Sequence, residues 1–315
     1  MRVLITGAAG NLGTFLARHL DRAPYRLRLL VHRTPLADDL AASRRVEPIE
    51  ADLGQPDTLP ATCQDVDAIV HFAGVLFAPR PERFLPTTNV LYVENLLDAA
   101  RAAGVRRFIL VSFPHVEGPT TPERPAVGAM DARPISVHAQ TRLAAERALF
   151  ERSRGTRMRP IALRSGTIYG RGVKMIEAAR WLMRRRLLPV WPQPTWYHFL
   201  ALPDFLRCVE AALRPSTRSG VFLLGDELPM TLQVFLDALA WHWGYPRPMR
   251  LPRFLFPLAG ALTEATATTF GTISPLTRDF IRIGMVPHVA DTRRMRRELL
   301  SKLKYPTLRE GLEIL

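Results

Sequence analysis

Cysteine and lysine are both scarce in this chain of 315 residues. The two cysteines, Cys63 and Cys208, are too few for a disulfide scaffold or a thiolate zinc site, and we expect no metal site. Lysine occurs only at Lys174, Lys302 and Lys304, so arginine supplies nearly all of the 43 basic residues, against 29 acidic ones. The resulting net charge of +14 bears on solubility and non-specific binding rather than on fold.

The sequence also lacks a long hydrophobic run and an N-terminal targeting pattern. The most apolar late stretch, 251–262, is interrupted by Pro252, Arg253 and Pro257. It therefore falls short of the ~20 apolar residues that a membrane-spanning helix needs. Met1 leads almost directly into an apolar run, without the long apolar region and small-residue cleavage site of a signal peptide. We expect a soluble, cytoplasmic protein.

The arginines are spread along the whole chain, which favours solvated basic faces over a dedicated polyanion-binding surface. No nucleic-acid recognition motif accompanies them, so we expect no specific nucleic-acid partner. Two denser basic clusters occur, at 181–188, where three arginines lie among apolar residues, and at 293–297. The first has the composition of an interfacial helix, and peripheral membrane contact stays open as a minor alternative.

Apolar residues make up 47% of the chain and fall into short runs that alternate with amphipathic stretches. Continuous apolar runs are typical of strands that are buried on both faces of a parallel sheet. The seven predicted strands are 3–6, 27–31, 46–49, 68–72, 107–111, 160–164 and 221–224. Helices are predicted between them, for example at 12–20, 90–103 and 142–151. This alternation indicates an α/β fold, a Rossmann-like doubly wound parallel sheet of about seven strands.

After residue 224 the pattern changes to helical stretches such as 231–243 and 280–283. The segment between them is predicted to be broken by Pro246, Pro248, Pro252 and Pro257. We expect a smaller, mainly helical substrate region laid against the sheet. The predicted division assigns residues 1–168 and 198–226 to the dinucleotide-binding domain, and residues 169–197 and 227–315 to the substrate-binding region.

A glycine-rich turn connects the first predicted strand to the helix that follows it. The turn reads Gly7-Ala8-Ala9-Gly10-Asn11-Leu12-Gly13. Its three glycines permit a tight turn, the approach of a pyrophosphate to the backbone, and close packing of helix on strand. The helix N-terminus directs N–H groups and the positive end of its dipole toward the phosphates. We therefore predict dinucleotide binding by Gly7, Gly10, Asn11, Leu12 and Gly13.

No acidic residue ends the second predicted strand, which continues as Val31-His32-Arg33-Thr34. An Asp or Glu at this place would accept hydrogen bonds from the ribose 2′-hydroxyl of NAD. Arg33 can instead pair with a 2′-phosphate. The sequence therefore favours NADP as the cofactor, with NAD as the alternative.

These motifs resemble those of the extended short-chain dehydrogenases/reductases, the NAD-dependent epimerase/dehydratase family, over essentially the whole chain. Ala51-Asp52-Leu53 resembles the family's adenine-contacting segment, and His71-Phe72-Ala73-Gly74 the segment beside the adenosine ribose. Asn89 resembles its structural asparagine, and residues 163–170 resemble its signature beside the nicotinamide. The resemblance implies further cofactor contacts from Asp52, Leu53, Ala73, Gly74, Ser165 and Gly166.

The catalytic positions depart from that family, which uses a Tyr-x-x-x-Lys pair on a helix and a Ser near a strand end. There the Tyr is the general acid/base, the Lys lowers its pKa and holds the nicotinamide ribose, and the Ser binds the reacting oxygen. In this chain His138 takes the Tyr position and Arg142 the Lys position. Phe113 takes the Ser position, with Ser112 beside it. The resemblance implies an altered catalytic site of His138, Arg142 and Ser112, in which Arg142 also contacts the cofactor.

The residues at the altered positions keep part of the family's acid/base and ribose-binding chemistry. A neighbouring Arg142 cation would depress the pKa of His138 and favour a neutral imidazole able to act as a base. Arg142 can still hold ribose hydroxyls, although it does not change protonation state. Phe113 cannot polarise a carbonyl. Ser112, Thr167 and Tyr169 are the candidates to replace the missing hydroxyl. His115 is one further titratable candidate for the site.

Two interpretations of function follow. One is an atypical NADP-dependent reductase, epimerase or dehydratase with His138 in the Tyr role. The other is a cofactor-binding protein without hydride transfer, such as a redox sensor, a partner-binding protein or a non-redox isomerase or cyclase. Aromatic residues in the predicted pocket segments favour a small hydrophobic or aromatic substrate over a nucleotide sugar. The resemblance also implies a homodimer formed through the helices predicted at 90–103 and 142–151.

Overall fold

The structure is a computed structural model that describes residues 1–74, 81–270 and 278–315. The strands in these ranges are β1 (Arg2–Thr6), β2 (Arg26–Val31), β3 (Val46–Glu50), β4 (Ala68–His71), β5 (Arg107–Ser112), β6 (Arg159–Ser165), β7 (Thr167–Tyr169), β8 (Pro189–Val190), β9 (Trp196–Tyr197), β10 (Phe199–Ala201), β11 (Gly220–Leu224), β12 (Met230–Thr231) and β13 (Met249–Arg250). The α-helices are α1 (Asn11–Asp21), α2 (Asp38–Ala41), α3 (Leu59–Cys63), α4 (Pro81–Leu85), α5 (Tyr92–Ala102), α6 (Val137–Arg152), α7 (Lys174–Arg184), α8 (Leu202–Leu213), α9 (Leu232–His242), α10 (Leu255–Phe270), α11 (Arg278–Gly284), α12 (Arg293–Glu298) and α13 (Leu308–Gly311).

Seven strands form the central sheet in the order β3-β2-β1-β4-β5-β6-β11, and every neighbouring pair is parallel. They are the seven strands predicted from the apolar runs, each within one residue of its predicted bounds. The strand order reverses between β1 and β4, which creates a crevice at the carboxyl ends of these two strands. In open parallel sheets such a crevice is where ligands bind. The predicted α/β fold is confirmed.

The apolar strands are continuous because helices cover both faces of the sheet. In β1, Val3 and Ile5 pack into the same buried cluster as Leu16 of α1. Leu4, which lies between them, faces the opposite cluster together with Leu97 of α5. Successive side chains of a strand point to opposite faces, so both faces require apolar residues.

The C-terminal region is mainly helical, as predicted, and three short strand pairs, β7·β10, β8·β13 and β9·β12, lie outside the central sheet. The predicted break between 243 and 280 is wrong in part, because α10 forms there. Its single proline, Pro257, lies in the first turn, where a missing N–H removes no intrahelical bond. No helix in the described ranges is long and apolar enough to cross a membrane. The domain boundaries and the homodimer stay predictions.

Candidate active site

The predicted cofactor residues all follow the carboxyl ends of strands in the central sheet. The glycine-rich turn follows β1, Arg33 follows β2, Asp52 and Leu53 follow β3, Ala73 and Gly74 follow β4, and Ser165 and Gly166 lie at the end of β6. Because the strands are parallel, these ends share one edge of the sheet. Sequence segments that lie up to 160 residues apart therefore meet along one edge.

The glycine-rich turn is too tightly packed to accept side chains. Gly7 has a φ of +71°, and a Cβ on Gly13 would lie 2.1 Å from the Gly7 carbonyl oxygen. A Cβ on Gly7 would lie 2.8 Å from the backbone nitrogen of Ala73, so the turn also presses on the end of β4. α1 starts at Asn11 and has no side-chain cap. Its first N–H groups have no intrahelical acceptor and are suited to bind phosphate.

The side chain of Asn11 connects two segments of this edge. Its Nδ2 donates to the Gly172 carbonyl at 2.9 Å, and its Oδ1 accepts from the Lys174 N–H at 2.9 Å. The amide thus ties the glycine-rich turn to the start of α7.

Asp52 and Arg33 lie at the outer part of this edge. The Asp52 carboxylate accepts from the Gly54 N–H at 2.8 Å and lies 3.6 Å from His32 Nε2. It therefore shapes the turn after β3. Leu53 is buried, and its carbonyl accepts from Asn95 Nδ2 at 2.8 Å. Arg33 is exposed just beyond β2, where a guanidinium can reach a bound anion.

Arg142 is a buried cation on α6 at the inner part of the edge. Its Nη1 has no hydrogen-bond partner among the described residues, and a Cβ on Gly74 would lie 2.3 Å from its Nη2. Burial lowers the pKa of Arg142 to about 10, while the Glu146 carboxylate opposes that shift. Burying a guanidinium N–H that donates to no acceptor costs free energy, which a bound acceptor recovers. Together with the side-chain-free turn and the uncapped helix, Arg142 fits a nicotinamide dinucleotide.

A cavity of about 350 Å³ opens beside Arg142. Among its lining residues are Asn11, Leu12, Gly74, Ser112, His138, Arg142, Ser165 and Gly166 from the predicted site. The rest of the lining is mostly apolar, with Phe72, Phe113, Ile168 and Tyr197 among the larger side chains. Within the described ranges, no acidic side chain lines it, and no group of three or more His, Cys, Asp or Glu residues is placed to hold a metal ion.

His138 is buried at this cavity, and its Nδ1 has no hydrogen-bond partner among the described residues. The edge of its ring meets Phe113, with the ring centroids 4.8 Å apart. Burial, and then the positive charge of Arg142, lower the pKa of His138 to about 3. The sequence predicted the contribution of Arg142, but burial is the larger cause. His138 is therefore a neutral imidazole at physiological pH.

The candidates for the missing hydroxyl differ in availability. Ser112 lines the cavity, but its hydroxyl donates to the buried carboxylate of Glu146. Tyr169 is not at the site, because its ring is fully buried against Phe235 in the core. Thr167 lines the cavity, and its Oγ1 lies 3.3 Å from His288 Nε2. Of the three, Thr167 is the hydroxyl best placed to meet a bound molecule.

His115 also lines the cavity and belongs to a row of buried rings. It lies between Phe113 and His288, with centroid distances of 4.7 and 4.3 Å. Desolvation lowers the pKa of His115 to about 3 and that of His288 well below its usual value. These imidazoles stay neutral while the same residues in the unfolded chain become protonated below about pH 6.5.

We expect the substitution His115→Phe to make the stability of the protein less sensitive to acid. Between about pH 6 and pH 4 the unfolded chain binds a proton at His115 that the folded protein does not, so stability falls as the pH falls. Removing this group should reduce that slope by up to about 1.4 kcal/mol per pH unit. Urea unfolding at several pH values measures it. An unchanged slope would show that His115 titrates normally in the folded protein.

A buried ion cluster, which the sequence did not predict, connects the elements that carry the site residues. Arg164, fully buried on β6, donates from Nη1 to Glu117 at 2.5 Å and from Nη2 to Glu146 at 2.7 Å. Glu117 also accepts the N–H groups of Val127 and Gly128, at 3.0 and 2.8 Å. Arg164 thus joins the sheet, helix α6 and the loop before it.

Comparison with known proteins agrees with this arrangement. A sequence profile of the NAD dependent epimerase/dehydratase family matches residues 3–217. The ceramide reductase of Caulobacter vibrioides is 29% identical over 276 residues, covering 86% of this chain and 80% of its own length. The 2-alkyl-3-oxoalkanoate reductase of Stenotrophomonas maltophilia is 25% identical over 331 residues, covering 94% and 98%.

Among solved structures, the dTDP-glucose 4,6-dehydratase DesIV of Streptomyces venezuelae, a double mutant with NAD bound, superimposes with a TM-score of 0.79. It covers 100% of this chain and 95% of its own, at 19% identity, so the likeness concerns the fold. The profile match extends over the glycine-rich turn, the remaining strand ends and the helix that carries His138 and Arg142. The chain therefore belongs to the NAD-dependent epimerase/dehydratase family, the extended short-chain dehydrogenases/reductases.

Proposed function

We propose that this protein is an NAD(P)-dependent oxidoreductase that interconverts a carbonyl and a hydroxyl group on a hydrophobic substrate. The observation that carries the proposal is the pairing of His138 with Arg142 on α6. Both side chains are buried, both line the same cavity, and each has a ring or guanidinium nitrogen without a partner among the described residues. Residues four positions apart lie on one face of a helix, so both groups act on the same bound cofactor and substrate.

The chain's own residues have distinct parts in this reaction. When bound, the nicotinamide dinucleotide supplies or accepts the hydride. Arg142 holds the ribose hydroxyls beside the nicotinamide with its partnerless Nη1. His138, a neutral imidazole, accepts the proton of a substrate hydroxyl during oxidation and passes it to solvent; during reduction its N–H donates a proton to the reacting oxygen and solvent replaces that proton. Thr167 donates a hydrogen bond to the reacting oxygen in place of the family's serine, since Ser112 is bonded to Glu146.

The shape and polarity of the cavity favour a substrate with an alkyl or aryl group. Phe72, Phe113 and Ile168 present apolar surface, and no acidic side chain in the described ranges lines the space. Two relatives that align with most of this chain are named for ceramide and for 2-alkyl-3-oxoalkanoates, which supports a chain-bearing carbonyl compound. A nucleotide sugar would require polar partners for its hydroxyl groups, which this lining supplies poorly.

The function is tested by following the oxidation of NADPH and NADH with 2-alkyl-3-oxoalkanoates of increasing alkyl length. UDP-glucose serves as the nucleotide-sugar comparison. We expect turnover that becomes more efficient as the alkyl group grows, and none with the nucleotide sugar. Binding of NADP without turnover of any carbonyl compound would contradict the proposal. It would favour the cofactor-binding alternative, for which the engagement of Ser112 by Glu146 is the supporting observation.

We expect Arg33 to select NADP. A guanidinium paired with a 2′-phosphate is a charge-assisted contact, and losing such a bond weakens binding by about 1.5–3 kcal/mol. Arg33→Ala should therefore raise the Kd for NADPH by about 10- to 150-fold and leave that for NADH nearly unchanged. Fluorescence titration of both dinucleotides measures this. Arg26→Ala, at the exposed start of β2, is the control that should change neither. Equal weakening of both cofactors would assign Arg33 a role other than 2′-phosphate recognition.

A further inference from the structure

Helix α10 has one face packed against the protein and one apolar face in solvent. On the packed face, the Phe256 ring lies 5.2 Å from that of Trp191, and a Cβ on Gly260 would lie 2.7 Å from Ile281. Leu255, Leu258 and Leu262 follow the helical repeat along the other face. Their exposed fractions are 37%, 62% and 67%. We name these three leucines the α10 stripe.

The exposed charges beside the α10 stripe are mostly positive, since Asp279 of α11 accepts from the backbone N–H groups of Val137 and His138. Arg253 precedes the helix, and Arg278 and Arg282 are exposed on α11, which packs along α10. The only acidic residue of 254–266 is Glu264. It faces α11, with its Oε2 2.7 Å from Arg278 Nε. An apolar stripe bordered by arginines is the pattern of a helix that lies in the interface of a bilayer with anionic lipids.

The basic cluster at 181–188 adjoins the same side of the molecule. Leu187 and Met249 are 54% and 45% exposed, and the Met249 N–H donates to the Leu188 carbonyl at 3.0 Å. The cluster at 293–297 has no comparable surface, because three of its four arginines are engaged. Arg293 bonds to Asp291, Arg294 to Glu298, and Arg296 to Glu227. Of the two clusters that the sequence singled out, only the first extends an apolar face.

A second cavity, of about 310 Å³, lies beside the arginines that border the stripe. Arg253 and Arg282 line it, and it shares His115 and Ile283 with the cavity that holds His138. A hydrocarbon chain that left a bilayer at the α10 stripe would meet this second cavity first.

We propose that the α10 stripe, with Arg253 and Arg282, docks on an anionic lipid bilayer. The leucines enter the boundary between headgroups and acyl chains, and the guanidiniums bind the lipid phosphates. The second cavity then receives the alkyl chain of a lipid-like substrate from the membrane. The docking itself is independent of the reaction, whereas this route for the substrate rests on the proposed function.

Vesicle flotation with the full chain tests the docking surface. We expect the protein to float with vesicles of phosphatidylcholine and phosphatidylglycerol, and to float much less with phosphatidylcholine alone or at high salt. The variant Leu258→Asp/Leu262→Asp should bind the anionic vesicles about 10²-fold more weakly, because two apolar contacts become charged ones. Leu228→Asp is the matched control, since Leu228 is exposed to the same 62% as Leu258 and lies outside α10. It should float like the parent protein.

Three results would overturn the proposal. One is that the parent protein stays entirely in the soluble fraction with anionic vesicles. Another is that Leu228→Asp and Leu258→Asp/Leu262→Asp lose flotation equally, which would reflect charge alone. The third is a parent protein that is dimeric by light scattering without vesicles while the double variant is monomeric, since α10 would then contact a second copy. An equal Tm for the three proteins confirms that each is folded. Turnover of a short, water-soluble substrate is measured in parallel, so that a failure of docking is distinguished from a failure of the reaction.

Discussion

Replacing His138 with phenylalanine should lower kcat by about 10²- to 10⁴-fold, the range that general acid/base catalysis contributes. The reason is that His138 supplies a partnerless ring nitrogen at the cavity, and phenylalanine keeps the ring without the nitrogen. Binding of the dinucleotide should stay intact, because the glycine-rich turn and Arg142 are unaltered. Steady-state kinetics with an alkyl-chain substrate and a separate titration of NADPH measure the two effects.

Two further variants make this test specific. His138→Tyr places the family's ordinary residue at the same position and should retain part of the activity. His242→Phe removes an exposed imidazole at the end of α9 and should leave kcat unchanged. If His138→Phe keeps the parent's kcat, the proton is transferred by another group. If it loses NADPH binding as well, His138 is a positioning residue for the cofactor.

The pH dependence of kcat follows from the same burial. An ordinary histidine base would become protonated below about pH 6.5 and lose its activity there. The pKa of His138 is about 3, so the imidazole stays unprotonated well below that value. We therefore expect kcat for oxidation of the alcohol to show no histidine-like decline between about pH 8 and pH 5. A sigmoidal loss centred near pH 6.5 would show that the bound cofactor restores a normal pKa.

The sequence was sufficient for the sheet, and for placing the predicted cofactor residues along one edge of it, because strand positions depend on local patterns. A strand that is buried on both faces has a continuous apolar run, as β1 and β6 do. Residues placed directly after such strands, such as Gly7 and Gly74, must share an edge once the sheet is parallel. No contact across the fold was needed for these predictions.

The roles of individual side chains at the site depend on distant partners, and these the sequence did not show. Arg164 belongs to a segment that resembles the signature beside the nicotinamide, but it pairs with Glu117, which lies 47 positions earlier. Ser112 is a candidate by its position after β5, and its hydroxyl is bonded to Glu146. Tyr169 was equally plausible and is buried in the core. Neither composition nor spacing records such tertiary contacts.

The substitution Arg164→Met should lower the free energy of unfolding by about 3–5 kcal/mol. Methionine fills much of the space but leaves the buried carboxylates of Glu117 and Glu146 without their cation. The substitution also removes the ion pairs that connect β6 to α6 and to Glu117. Glu117 in turn binds the loop through the N–H groups of Val127 and Gly128. Because α6 carries His138 and Arg142, kcat should fall together with stability. Urea unfolding and steady-state kinetics on the same samples measure both.

Comparison with an exposed ion pair shows whether the loss of stability in Arg164→Met is due to the burial of its charges. Arg152, at the end of α6, bonds to Asp98 at 2.5 Å, and both side chains are solvent-accessible. Arg152→Met should therefore cost less than about 1 kcal/mol, as exposed pairs do. Adding Glu146→Gln to Arg164→Met should recover part of the lost stability, since one of the two stranded charges disappears. Equal costs for Arg164→Met and Arg152→Met, or no recovery in the double variant, would mean that the cluster does not hold the catalytic helix in place.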